Sequence, residues 1–236
     1  ASDVYKRQSI SIVGEAFTVN SEKAWFYFVK KNFKDLFPNI CDRTRFNRTK
    51  RNLYSAIKEI QKYFSQSLAF TDDSIRIIDS MPIPVCKFAR AYFSKCFKDI
   101  ASYGYCASKK ETYFGLKLHA LVTVDGFISD FFLTSANVDD RSAVFELVEN
   151  KTSIKVIADK GYIDENLKYQ LENEKDILLI SLKRKNSKNP LEKQLRNVLS
   201  KTRRRVETSF SQLAEQFNIN KVLALSLIHI SEPTRH

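Results

Sequence analysis

Lys155-Val-Ile-Ala-Asp159, running on into Lys160-Gly-Tyr162, is a short apolar run that stops on a carboxylate. A few β-branched and aliphatic residues bounded by turn formers read as a strand buried in a sheet, with the acid at its C-terminal end. Ile75-Arg-Ile-Ile-Asp79 has the same form, and its strand is expected over 74–79. The two aspartates are 80 residues apart. Gly161 permits a tight turn off the second strand, and Tyr162 can pack back onto it rather than serve as a nucleophile.

Working outward, the chain between these strands predicts a strand over 113–123, a turn at Asp125-Gly126 and a strand over 127–133. Asp139-Asp140-Arg141 opens a helix through about Glu149, because acids near a helix N-terminus complement its dipole. After Asp159 come a helix from Asp164 to about Asn173, a strand over 177–182 and a long helix from about Leu191 to Phe217. Strands followed by alternating helices and strands give a mixed sheet covered by helices, an α/β architecture.

The long helix carries a third acid. Val206, Phe210, Leu213 and Phe217 recur at steps of four, three and four, an apolar stripe, and Glu207 lies one residue off it, 48 residues after Asp159. A carboxylate there can turn toward a sheet edge. Hard divalent cations take oxygen ligands, so three convergent carboxylates can hold one or two ions beside a phosphate. With 27 acidic residues in the chain, each acid alone would read as an ordinary solvated carboxylate. Their company gives them weight: Asp-Lys-Gly-Tyr after one strand, and Arg203 four residues before Glu207 on one helix face.

Charge points to a polyanion. The chain of 236 residues carries a formal net charge of +12, which favours nucleic acid over a small cationic substrate. Arg203, Arg204 and Arg205 on the last helix, with Lys183, Arg184 and Lys185 in the loop before it, are candidates for DNA backbone contacts. Residues 9–70 read as a helical, basic region. Ser21 caps an aromatic helix to Phe33, Arg43 to Arg51 is densely basic, and a further helix is expected over 52–64. Two helices around a basic segment fit either a helix-turn-helix reader of DNA ends or a helical cap with a solvated basic face. Cys41, Cys86, Cys96 and Cys106 contain no C-x-x-C pair and read as reduced, packed thiols rather than a zinc site. No apolar run is long enough to span a membrane. His119 reads as a strand residue with a structural hydrogen bond, and Asn137, Asp139 and Asp140 as helix-capping or supporting groups.

Four ordered segments carry a family resemblance: Ile77 to Cys86, Tyr103 to His119, Ala158 to Tyr162, and Arg203 to Leu213. Together they resemble bacterial insertion-sequence DDE transposases, closest to the insertion sequence 982 family, from about Val19 to about Leu223. The resemblance implies a ribonuclease H-like core over 71–224, with Asp79, Asp159 and Glu207 as both catalytic and metal-binding residues. It further implies Mg²⁺ or Mn²⁺ as a pair of ions and DNA as transposon end and target. A homo-oligomer on DNA and a place in the bacterial cytoplasm at the nucleoid belong to the same expectation. Related families carry a Tyr, Arg, Glu, Lys signature around the glutamate. Here Arg203 and Glu207 fit it, while Ser200 and Ala214 stand at the Tyr and Lys positions.

The implied activity is metal-dependent strand cleavage and strand transfer of an insertion sequence. The alternatives are a ribonuclease H-like nuclease without strand transfer and an inactive DNA-binding remnant. Asp3 to Gln8 and Leu225 to Ile230 can be encoded by reverse-complementary DNA, so residues 1–8 and 225–236 are expected to be adapter-derived and outside the fold.

Overall fold

The structure is a computed structural model and describes residues 9–11, 13, 14, 17, 19, 21–52, 59, 63, 74–95, 97–182 and 193–220. Its centre is a six-stranded mixed sheet: β1 (Ile75–Cys86), β2 (Ser102–Cys106), β3 (Glu111–Thr123), β4 (Ile128–Ser135), β5 (Lys155–Ala158) and β6 (Leu178–Ser181). β3 pairs antiparallel with β1 on one edge and with β2 and β4 on the other. β5 lies parallel to β1, and β6 parallel to β5. With helices on both faces, this is consistent with the ribonuclease H-like core that the resemblance implies.

Alternation along the strands sorts the core into two layers. Ile78, Leu121, Val156, Ala158 and Leu179 face the short helix α3 (Val144–Leu147) and α4 (Glu165–Lys175), and Tyr162 is buried among them. Ile77, Met81, Ile83, Leu118, Ala120 and Val122 face the other way, onto Val206 and Phe210 of α5 (Lys193–Glu215). Leu199, one turn and more toward the start of α5, packs on Ile157 and Leu182. Burial of one large aliphatic side chain is worth roughly 1.5–3 kcal/mol, so each layer fixes its helix firmly. Ser209 Oγ adds a directional tie by donating to Gly126 O at 2.7 Å, in the β3–β4 turn. Gly126 has φ 95°, which a side chain would resist.

Several expectations need correcting. β1 does not stop at Asp79 but runs through Pro82 and Pro84 to Cys86. β5 covers β1 only from Ile75 to Ile78, so beyond it β1 is an edge among the described residues, where a missing proline N–H costs no ladder bond. β2 was not expected at all: it forms a hairpin with the start of β3, turning at Lys110 with φ 54°. The helix from Asp139 shrinks to the four residues of α3, since Asp139 and Asp140 spend their side chains on Arg141 and Lys117. The strand expected from Ile177 begins at Leu178, and α5 ends at Glu215. Phe217 therefore falls off the apolar stripe and is exposed, while Ile219 turns back onto the core in its place. Gly161 sits in a short 3₁₀ turn without a positive φ, and a Cβ there would meet nothing within 4 Å, so the turn does not depend on glycine.

The N-terminal region has a cluster of its own. α1 (Glu22–Asn32) is capped by Ser21, whose Oγ accepts from Ala24 N at 3.2 Å. The basic stretch is itself a helix, α2 (Arg43–Asn52), rather than a segment between helices; Asp42 Oδ1 caps it by accepting from Arg45 N. Ile10, Trp25, Phe26, Val29 and Phe46 close around each other. Most of the helix expected over 52–64 lies outside the described residues.

A candidate carboxylate centre

Asp79 and Asp159 come together because their strands are parallel neighbours. Ile78 pairs with Ala158, so the next residue of each strand is an aspartate at the same level. Both side chains leave on the face that carries α5, since Asp79 shares the parity of Ile77 and Met81 and Asp159 that of Ile157. Adjacent strands lie about 4.8 Å apart, so the two carboxylates stand side by side.

α5 supplies the third acid and an unexpected cation. Arg203 lies between Leu199 and Val206, both buried against the sheet, and its guanidinium reaches into the carboxylates. Arg203 Nη2 lies 3.3 Å from Asp79 Oδ2, 3.6 Å from Asp159 Oδ2 and 3.6 Å from Glu207 Oε1. One nitrogen thus has all three candidate carboxylates around it. Glu207 reaches it as the i+4 neighbour on the same helix face. The side chains of Asp79, Asp159 and Glu207 are 17%, 37% and 56% exposed, so the centre opens toward solvent on the helix side.

The electrostatics follow from this layering. Burial raises the pKa of Asp79; the Ser80 N–H, donating to its Oδ1 at 2.9 Å, and the Arg203 guanidinium pull it back, while the Asp159 charge pushes it up again. Burial likewise raises the Tyr162 hydroxyl far above its ordinary value, with Asp140, Asp79 and Asp159 adding to the effect. Tyr162 is thus a packed aromatic that stays protonated.

Among the described residues no group of three or more His, Cys, Asp or Glu side chains stands ready to hold a metal ion. The Arg203 guanidinium lies among the three carboxylates instead, with Nη2 3.3–3.6 Å from an oxygen of each. The donor set itself fits a hard divalent cation, being all carboxylate oxygen arranged about a point already occupied by positive charge. Of the other candidate residues, Arg204 and Arg205 are exposed on α5 while Arg203 is turned inward. Lys183, Arg184 and Lys185 lie outside the described residues.

Behind the centre, on the opposite sheet face, lies a polar network that sequence reading resolved only in part. His119 is fully buried, with Nε2 at 2.9 Å from Thr134 Oγ1. Thr134 Oγ1 donates to Ser135 O at 3.1 Å, so it accepts from the imidazole, which assigns the proton to Nε2. Burial pulls the His119 pKa down to about 4, and nearby Lys117 acts the same way against the opposing pull of Asp140. Lys117 Nζ donates to Val138 O at 2.7 Å and to Asp140 Oδ1 at 3.0 Å. The expected structural hydrogen bond of His119 is present. The Lys117–Asp140 pair was missed, although Lys117 and His119 alternating with apolar residues in one strand already put them on one face.

Comparison with known proteins gives one family: the sequence model described as Transposase DDE domain matches residues 69–225. No curated protein and no solved structure shows a significant match.

Proposed function

This chain belongs to the transposase DDE domain family, and on that premise we propose that Asp79, Asp159 and Glu207 are its catalytic, metal-binding triad for DNA strand cleavage and strand transfer. The observation that carries the reading is the meeting of all three carboxylates about one cationic nitrogen, at 3.3–3.6 Å. Within the family, the resemblance of the four ordered sequence segments supports a reading of the chain as nearest the insertion sequence 982 group. Its substrates are the ends of a mobile element and its target DNA, handled by a homo-oligomer in the bacterial cytoplasm.

The division of labour follows from the fold. Asp79 and Asp159, fixed by paired strands, set the spacing of two ligands; Glu207, on a helix that rests on the core, closes the third side. Asp79, Asp159 and Glu207 would hold Mg²⁺ or Mn²⁺, as a pair of ions, which when bound would make the attacking water or hydroxyl more acidic and stabilise the leaving oxygen. The chain's own work is placement and charge neutralisation. Arg204 and Arg205, exposed on the helix that carries Glu207, neutralise backbone phosphates, and Lys183, Arg184 and Lys185 are assigned the same role from their charge. Water attacks phosphorus at the element's end and the 3′-oxygen leaves as a free hydroxyl. That hydroxyl then attacks a target phosphodiester and displaces a 3′-oxygen in turn.

The test is a set of three variants. Asp79→Asn, Asp159→Asn and Glu207→Gln should each abolish Mg²⁺-dependent cleavage of element-end DNA while leaving DNA binding measurable. Cleavage retained by any one removes that residue from the triad. A strand-transfer assay with a pre-cleaved end separates a transposase from a nuclease that only hydrolyses, and absence of both activities in the unmodified chain identifies an inactive remnant.

A further inference from the structure

The segment between β1 and β3 does something a covering loop need not do: it turns its aromatic rings outward. Residues 87–95 read Lys-Phe-Ala-Arg-Ala-Tyr-Phe-Ser-Lys, with basic and aromatic side chains interleaved. They form a 3₁₀ turn (Phe88–Phe93) anchored to the core by Ala91, and a few residues on by Phe97, which is buried despite a φ of 50°. The anchoring leaves Tyr92 86% and Phe93 82% exposed, edge to face with ring centroids 5.1 Å apart. Phe88 stands edge-on to Tyr103 at 5.7 Å, and Tyr103 rests on Phe114. Tyr105, two residues along the edge strand β2, is exposed on the same side as Tyr103.

Register fixes which side that is. Tyr103 pairs with Phe114 and Tyr105 with Thr112, positions of the parity that faces Ile77, Asp79 and Met81 across β1. Tyr103 and Tyr105, with Phe88 against Tyr103, therefore lie on the sheet face that carries the carboxylate centre, and Ala91 anchors the turn that bears Tyr92 and Phe93 to the core of that same face. Seven residue steps of strand lead from Asp79 to Cys86, which pairs with Phe114, itself paired with Tyr103, so Tyr103 is about 25 Å from Asp79 at roughly 3.3 Å per residue and 4.8 Å per strand. That distance equals about seven nucleotides of duplex at ~3.4 Å each. Lys87, Arg90, Lys95 and Lys98 in the same segment, and Lys109 and Lys110 at the β2–β3 turn, are all exposed, against Asp99 and Glu111. An apolar partner would not call for this excess of cations, and a phosphate backbone does.

We propose that Phe88, Tyr92, Phe93, Tyr103 and Tyr105 form a stacking site for unpaired DNA bases near the element end, with the surrounding cations holding the backbone of that strand. Every base has a π-face, so such a site takes single-stranded or melted DNA with little sequence preference. The inference rests on the reading of the chain as a DNA-cutting enzyme, but it concerns a surface remote from the triad.

The experiment uses the full chain and a fluorescent twelve-nucleotide oligo-dT, beside a hairpin duplex of equal charge. Wild type, the double variant Tyr92→Ala/Phe93→Ala and the aromatic swap Tyr92→Phe/Phe93→Tyr are compared by anisotropy, with circular dichroism confirming the fold. We expect the alanine pair to weaken oligo-dT binding tenfold or more, the swap to stay within twofold of wild type, and duplex binding to change less than twofold in both. Unchanged oligo-dT affinity in the alanine pair overturns the proposal. So does an equal loss on oligo-dT and duplex, which marks a phosphate contact, or a loss of self-association in sedimentation without a change in oligo-dT binding, which marks an interface between copies. Cleavage by wild type and by Asp79→Asn is scored in parallel: the triad reading can fail there while the stacking result stands, and the reverse.

Discussion

Arg203→Gln tests the carboxylate centre most directly, because it removes the cation and leaves the three acids in place. At an effective dielectric of about 20, a unit charge pair at 3.3–3.6 Å attracts by about 5 kcal/mol before desolvation. Most of that is lost for the exposed partners: pairs like those with Asp159 and Glu207 are worth ~0.2–1 kcal/mol each in practice. Asp79 is more enclosed, and a charge-assisted hydrogen bond to such a group is worth about 1.5–3 kcal/mol. Mutual repulsion of the three acids offsets part of the sum, which leaves about 2 kcal/mol as the hold of Arg203 on the centre. A divalent ion entering the wild type has to overcome that hold, whereas in Arg203→Gln it meets only unpaired carboxylates. At 1.4 kcal/mol per factor of ten, Mn²⁺ should therefore bind the variant about 30-fold more tightly. Urea unfolding without metal should find the variant about 2 kcal/mol less stable, and millimolar Mg²⁺ should recover more stability in it than in the wild type. Mn²⁺ titration followed by electron paramagnetic resonance reads the first effect. Equal Mn²⁺ affinity in the two proteins, together with equal stability without metal, would refute the reasoning, since the guanidinium would then not be holding a cation's place.

Acid should weaken the fold through His119. Its folded-state pKa of about 4 lies below the ordinary value of 6.5, so the stability it contributes is fully present above about 6.5 and is lost as pH falls toward 4. At ~1.4 kcal/mol per unit the loss is about 3 kcal/mol at most, and urea unfolding of His119→Asn across that window should show a flatter pH dependence. Gly115→Ala should unfold β1 from β3 or prevent folding, because a Cβ there would collide with the Ile83 carbonyl; wild-type stability in that variant would contradict the register. Gly161→Ala, by contrast, should leave the melting temperature unchanged or slightly raised, since its Cβ enters open space and its φ is not positive. Ser209→Ala should cost about 1 kcal/mol by freeing the Gly126 carbonyl from α5, read as a shift in denaturation midpoint.

Much of the core was legible because its signals are local. The strand over 155–158 and the Asp164-capped helix that follows are written in runs of apolar residues and a single capping oxygen, and both stand within a residue or two of their expected limits. The errors fall where a neighbour overrules the local signal. Pro82 and Pro84 argue against a strand until it is known that, among the described residues, no strand pairs with that side of β1 beyond Ile78. Asp139 and Asp140 look like helix openers until Arg141 and Lys117 take their oxygens.

By itself, the sequence determined which residue types are available: two aspartates that each follow a short apolar run, a glutamate beside an apolar helical stripe, and an excess of basic side chains. Only the tertiary structure decided that these acids meet, because meeting depends on the parallel register of β1 with β5 and on the face that α5 buries. It also turned Arg203 inward and left Arg204 and Arg205 outside, a distinction no run of three arginines contains. Side-chain direction on a helix is set by what the rest of the helix packs against, and that is a property of the assembled core.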